Sequence, residues 1–187
     1  MPAKTPPSQS NIYQIKVTLN GIRPPIWRRI QVRDDITLAR LHTILQIVMG
    51  WEDYHMHAFR IGNMEYGQPD PDLGIRSDRS VKLKQFVSGE KFKFRYEYDF
   101  GDSWEHMLEV EKVLPPEPGV HYPRCLTGKR ACPPEDVGGI WSYPDFLEAI
   151  RDPEHPEHDE MLEWIGGSFD PEAFDLEDVN DQLAQIK

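Results

Sequence analysis

Apolar and polar residues alternate most regularly across residues 92–113. Phe92, Phe94, Tyr96, Tyr98 and Phe100 form one apolar set, and Trp104, His106, Leu108 and Val110 form a second. A period of two is that of half-buried strands, so the stretch reads as a β-hairpin. Both sets are even-numbered, and a shared face then requires residues of equal parity to pair across an odd-length loop. The shortest such loop is Gly101-Asp102-Ser103, which sets Phe100 opposite Trp104, Tyr98 opposite His106, Lys93 opposite Glu111 and Arg95 opposite Glu109. It also sets Asp99 opposite Glu105, with Asp102 in the turn. Like charges crowded there repel unless something cationic sits among them: Arg28, Arg29 or Arg60, or an oxygen-liking ion such as Mg²⁺ or Mn²⁺.

The same reading along the chain predicts a strand over 12–19, a turn through Asn20-Gly21 and Pro24-Pro25, and a return strand over 26–32. Leu38, Leu41, Ile44, Leu45, Val48 and Met49 recur at helical spacing, and Gly50 closes that helix. Residues 55–61 alternate again, followed by a short extended piece at Glu65-Tyr66, a loop to about residue 80 and a helical turn over 81–87. A Pro/Gly-rich connection then runs over 114–141. Three helices follow: one behind a capping box of Ser142 and Asp145, one from Pro156 to the Gly166-Gly167 stop, and one after Asp170-Pro171. The expected fold is α+β: an antiparallel or mixed sheet of two β-hairpins plus an extra strand, packed on an amphipathic helix, with a helical C-terminal third. Residues 11–187 form one domain and residues 1–10 a disordered tail.

Charge narrows the partners. With 32 acidic against 21 basic residues, the net charge of −11 favours solubility and discourages non-specific binding to phosphates. No apolar run approaches a membrane span and the first ten residues lack a signal-peptide core, so a cytoplasmic protein without membrane contact is expected. In that compartment Cys125 and Cys132 are reduced thiols or metal ligands rather than a disulfide.

Several residues could carry chemistry. His55 and His57, two apart on a strand, would face the same side, where both imidazoles could reach one metal; paired surface histidines are the plainer alternative. His106 lies on the apolar face of the hairpin with Tyr98 as its partner. His121, Cys125 and Cys132 give H-x3-C-x6-C, which departs from zinc-ribbon spacing but allows a three-ligand zinc site. The acidic step Glu135-Asp136 beside these thiols is turn chemistry that could also hold a metal. Arg28 and Arg29 flank Trp27, an arrangement that can bind a nucleic-acid strand or simply form a solvated, salt-bridged sheet edge. The chain has no phosphate loop, nucleophile elbow, H-E-x-x-H or kinase signature.

Three stretches together resemble the Ri-plasmid open-reading-frame-three-like family: Tyr98-Asp99-Phe100-Gly101-Asp102-Ser103-Trp104-Glu105-His106, His55-Met56-His57-Ala58-Phe59, and the segment from Cys125-Leu126-Thr127-Gly128-Lys129-Arg130-Ala131-Cys132 to Gly138-Gly139. Trp164-Ile165-Gly166-Gly167-Ser168-Phe169-Asp170-Pro171-Glu172 is similar to its closing motif, and Ser142 stands where the family leads us to expect glycine. The resemblance implies a single-domain α+β protein of plasmids, bacteria and archaea, some of whose relatives carry transposon-passenger or resolvase-like labels, and it brings no catalytic residue. A resolvase needs an activated serine among arginines, whereas Ser103 lies in a carboxylate-rich turn.

The leading expectation is a binding or accessory module, linked to plasmids or mobile elements and working with a protein or nucleic-acid partner. Its working surface would join the central hairpin turn, with Tyr98, Asp99, Asp102, Trp104, Glu105 and His106, to the loop that carries Cys125 and Cys132. A metal-dependent hydrolytic enzyme using His55, His57, Asp99, Asp102 and His106, with or without Cys125 and Cys132 and with zinc or another divalent metal, is the alternative. Nucleic-acid binding through Arg28 and Arg29 is the third reading.

Overall fold

The computed structural model describes residues 10–186. The expected N-terminal tail therefore lies outside the described residues except for Ser10, whose hydroxyl bonds Asp35 at 3.2 Å.

Eight strands form one mixed sheet: β1 (Ile12–Leu19), β2 (Trp27–Arg33), β3 (His57–Ile61), β4 (Met64–Gly67), β5 (Ile75–Ser77), β6 (Lys93–Tyr98), β7 (Trp104–Leu114) and β8 (Arg124–Lys129). Their spatial order is β5-β4-β3-β6-β7-β1-β2-β8, antiparallel except between β4 and β5. Helix α1 (Leu38–Met49) follows β2, and α2 (Gly139–Arg151), α3 (His158–Trp164) and α4 (Leu176–Ala184) follow β8. The α+β expectation stands, with both hairpins side by side through β1 and β7 and with β3 against β6. Strands β4, β5 and β8 are additions to it.

Strand alternation sorts the two faces of the sheet. Ile15, Val17, Leu19, Ile30, Val32, Phe59, Tyr96, Tyr98, Trp104, Leu108 and Val110 join α1's Leu38, Leu41, Leu45 and Val48 in one core. The opposite face is polar. There Arg29 makes a bidentate pair with Glu111 at 2.7 and 2.9 Å, Gln14 also donates to Glu111, and Gln31 donates to Gln14.

α1 begins and ends as its sequence predicts. Thr37 accepts from the amide of Arg40, and Gly50 closes the helix at φ 95°, a left-handed value that suits glycine. α2 starts before its expected capping box, with left-handed Gly138 as N-cap and no side-chain cap.

The central hairpin has the expected parity but a different register. Tyr98 lies opposite Trp104, Tyr96 opposite His106 and Phe94 opposite Leu108, so the connection is the five residues 99–103. Asp99 and Ser103 take left-handed φ values of 58° and 53°, and the Asp99 carboxylate accepts from the amides of Gly101 and Asp102. This side-chain cap stabilises a wider turn than the shortest one. Phe100 leaves the sheet, Lys93 pairs with Glu109 rather than Glu111, and Glu97 rather than Asp99 sits opposite Glu105. Arg60 on β3 answers that like-charge pair, donating to Glu97 at 2.5 Å, Glu105 at 3.0 Å and Glu65 at 2.7 Å.

Alternation also separates the two arginines expected to form a nucleic-acid surface. Arg28 falls on the core face with Ile30 and Val32 and is 1% exposed. It donates to the carbonyls of Val48, Trp27 and Lys129 and lies 4.1 Å above the Phe174 ring. Burial lowers its pKa. A side chain so enclosed offers nothing to a phosphate backbone.

Candidate metal centre and the cleft beside it

Three segments far apart in sequence meet at the open end of the hairpin. The segment after α1 supplies residues 51–56, the β6–β7 turn supplies 99–103, and the Pro/Gly-rich connection supplies 133–139. Trp51 donates its indole N–H to the carbonyl of Pro133 at 2.9 Å, and the amide of Glu52 donates to Glu135 at 2.9 Å. Tyr98 donates its hydroxyl to Glu135 at 3.1 Å and accepts from the amide of Tyr54. Asp102 accepts from the amide of Gly138 at 3.0 Å. A Cβ on Gly139 would stand 2.5 Å from the carbonyl oxygen of Asp102, so glycine is what lets the connection close over the hairpin.

His55 sits where these segments converge. Its Nε2 lies 2.9 Å from Asp136, 3.6 Å from Asp99 and 3.9 Å from Glu135. The atom is buried, and among the described residues it makes no hydrogen bond of acceptable geometry. Asp99 is 6% exposed; one of its oxygens caps the turn and the other faces the imidazole.

One donor atom each from His55, Asp99 and Asp136 fits within a span of 4.8 Å. Donors held about 2.1 Å from a common ion stand roughly 3.0 to 4.2 Å apart, from adjacent to opposite positions of an octahedron. The His55 distances to Asp136 and Asp99, 2.9 and 3.6 Å, lie at the lower edge of that range and inside it, and one nitrogen with carboxylate oxygens is a donor type that suits Mn²⁺, Fe²⁺ or Zn²⁺. Asp99 and Asp136 both hold left-handed backbone angles, φ 58° and 59°, conformations that aspartate tolerates better than most residues and that gather at working sites.

Beside this centre lies a cleft of about 420 Å³ whose lining includes His42, Asp53, His55, His57, Asp78 and Arg79. The rings of His42 and His57 stack at 3.5 Å, 7° from parallel. The backbone N–H of Asp53 donates to Gln46 Oε1 at 2.9 Å and so orients that amide. The other end of the Gln46 amide donates to the Tyr96 hydroxyl at 3.0 Å. The Asp53 carboxylate can only accept, so His42 Nε2–H donates to it at 2.8 Å, and in the neutral ring Nδ1 accepts from the Tyr96 hydroxyl at 2.7 Å. The ring of bonds is closed and His42 is neutral in it. Burial, and then the nearby His57, lower the His42 pKa to about 4.

The chain matches the plasmid pRiA4b ORF-3-like protein family over residues 11–178. It belongs to that family. The ORF-3-like chain is 41% identical over 175 residues to the uncharacterized protein y4hQ of Sinorhizobium fredii, covering 91% of this chain and 90% of that one. It is also similar to the crystal structure of MM3350, a protein of unknown function from Methanosarcina mazei Go1. The two share 40% identity and a TM-score of 0.83, over 91% of this chain and 98% of the other. Among the described residues no helix is long and apolar enough to cross a membrane.

Within the ORF-3-like fold the expected site residues separate. His55 and Asp99 meet, and Tyr98 packs beneath them with its ring 5.9 Å from that of His55. His57 belongs instead to the His42 stack, because His55 precedes β3 and the two do not share a strand face. Trp104 and His106 are wholly buried; burial lowers the His106 pKa to about 4, and its Nδ1 lies 3.3 Å from the carbonyl of Tyr96. Glu105 belongs to Arg60. Cys125 and Cys132 are buried free thiols whose pKa values burial pushes up to about 11 and about 12, with Arg28 pulling the other way. Neither thiol nor His121 belongs to a group of three potential metal ligands among the described residues. His42, Asp53, Asp78 and Arg79 were not foreseen. His42 and Gln46 did carry a signal: two polar residues four apart inside the apolar stripe of α1.

Proposed function

We propose that the protein is a metal-dependent hydrolytic enzyme. Its divalent cation is held by His55, Asp99 and Asp136, with Glu135 close behind, and its substrate enters the cleft lined by His42, His57 and Arg79. The observation that carries this reading is the buried, hydrogen-bond-free Nε2 of His55 with three carboxylate oxygens at 2.9, 3.6 and 3.9 Å. A protonated His55 would answer one of those three negative charges, and the one N–H on its Nε2 would point along one direction. A divalent ion answers two and bonds to all the donors it meets. Such an ion would act as a Lewis acid and lower the pKa of a bound water.

The test uses untagged, metal-stripped protein titrated with Mn²⁺ and Zn²⁺ by calorimetry. It is paired with release of p-nitrophenol from p-nitrophenyl acetate and bis(p-nitrophenyl) phosphate. Asp99→Asn keeps the oxygen that caps the turn and removes the charge. A cation bound near stoichiometrically, with affinity and hydrolysis both falling at least tenfold in Asp99→Asn and His55→Ala, supports the reading. Binding unchanged in both variants, or metal-independent hydrolysis, overturns it.

A second reading, a docking module linked to plasmids or mobile elements, draws on the family's plasmid description and on Trp141. That indole is 84% exposed on α2, one turn from the glycines that contact the hairpin. Two buried free thiols suit a reducing compartment, which supports the cytoplasmic location we propose.

A further inference from the structure

His57 is 8% exposed, and its Nε2 lies 2.8 Å from the carboxylate of Asp78, itself 4% exposed. A carboxylate on one ring nitrogen holds the proton there and leaves the other nitrogen as a free lone-pair donor, the arrangement that typically stands behind a metal-bound histidine. Among the described residues no hydrogen bond reaches Nδ1 of His57, and the residue lines the cleft. One ligand-type atom from each of His57, Asp53 and His42, either ring nitrogen counting for a histidine, fits within a span of 4.8 Å.

Of these three, His42 is already committed. Placing an ion on its Nε2 would displace the proton given to Asp53 and break the closed ring through Tyr96 and Gln46. Tyr96 could not relieve this by ionising, because burial raises its pKa well above the usual tyrosine value. His42 therefore orients Asp53 instead of ligating. The Asp53 carboxylate gives one oxygen to His42 and, with its side chain 58% exposed, keeps the other available to the cleft.

We infer that the cleft takes a second divalent cation, ligated by the free ring nitrogen of His57 and the carboxylate of Asp53, with Asp78 and His42 holding those two ligands in place. This deepens the hydrolytic reading from one ion to two, and it stands on residues other than those of the His55 centre.

The test counts Co²⁺ bound to the metal-stripped full chain, by elemental analysis after desalting and by the visible spectrum during titration. Two equivalents are expected for the wild type, one for His57→Ala and one for His55→Ala. Asp78→Asn, which keeps the shape of the side chain, is expected to weaken the second equivalent by about 10- to 100-fold and leave the first unchanged. Circular dichroism of each variant checks folding. One equivalent that is lost in His55→Ala and retained in His57→Ala and Asp78→Asn overturns the second site and leaves the first. One equivalent lost in His57→Ala and retained in His55→Ala upholds the second site and overturns the first. No bound Co²⁺ overturns both.

Discussion

Around Arg60, the carboxylates of Glu97, Glu65 and Glu105 approach to 2.5, 2.7 and 3.0 Å; around His55, those of Asp136, Asp99 and Glu135 stand at 2.9, 3.6 and 3.9 Å. The two groups lie at the same end of the sheet, and each sets three acids against one basic side chain. Arginine is always charged and carries a fork of N–H donors, here one for each acid. The imidazole presents one nitrogen, buried and without a hydrogen bond. The first group is complete within the protein, whereas in the second three carboxylates face a single nitrogen that hydrogen-bonds none of them. Counting acids in the sequence could not separate the two; the number and direction of N–H donors facing them does.

The largest expected effect comes from opening the complete group. Arg60→Met leaves Glu97, 7% exposed, without its cation. Removing one partner of a buried pair costs about 3–5 kcal/mol, and the lower end applies because the Arg60 side chain is itself 37% exposed. Urea denaturation should show a loss of about 3 kcal/mol, and a loss below 1 kcal/mol would mean that the acids are balanced in some other way.

Acidification comes next and sets the pH for every cation measurement. His42 and His106 have folded pKa values of about 4 against 6.5 for the free side chain. Above pH 6.5 both are neutral in either state and their contribution is complete. As pH falls the unfolded chain takes up protons first, so stability is lost from about pH 6.5 down to about 4, by roughly 2 to 3 kcal/mol for each histidine. Denaturation midpoints between pH 7.5 and 4 should follow this slope, and His106→Phe should flatten it. An unchanged slope in that variant would remove His106 from the account.

A smaller shift should mark the incomplete group. At pH 7.5, a cation supplied at ten times its dissociation constant should stabilise the wild type by about 1.4 kcal/mol. Asp99→Asn should lose that gain, and equal thermal shifts in both proteins would place the ion elsewhere. At the bottom of the scale stands Lys93–Glu109, 3.4 Å apart with both side chains partly exposed. Lys93→Ala should change stability by less than about 0.5 kcal/mol, and a larger loss would mean that surface pairs on this sheet matter more than their exposure suggests.

Much of the fold was legible because a period of two assigns faces. Parity placed Phe94, Tyr96, Tyr98, Trp104 and Leu108 in the core, where they are. Parity is blind to a shift of two, however, and the register was decided by the left-handed Asp99 and Ser103, which no hydrophobic pattern reports. β5 has three residues, and β8, which reads Arg-Cys-Leu-Thr-Gly-Lys, lies at the sheet edge without clear alternation; both depend on their neighbours for their shape. For the site, His55 and Asp99 could be named in advance, and Asp136 could be suspected from its acidic loop. Their meeting depends on how residues 133–139 lie across the hairpin, which Gly139 permits and composition does not reveal. Arg28 shows the opposite error: two adjacent arginines looked like one surface until alternation put them on opposite faces.

The pairing of β1 with β7 has a consequence for the order in which the molecule can be made. Ile12 lies opposite Leu114, so the first strand synthesised waits for nearly the last strand of the sheet before one of its edges is covered. Until then β1, β2 and α1 expose an apolar face beside an unpaired strand, a surface that recruits other chains. Fragments ending before residue 104 should therefore aggregate, and those that include β7 through Leu114 should be the first to stay in solution.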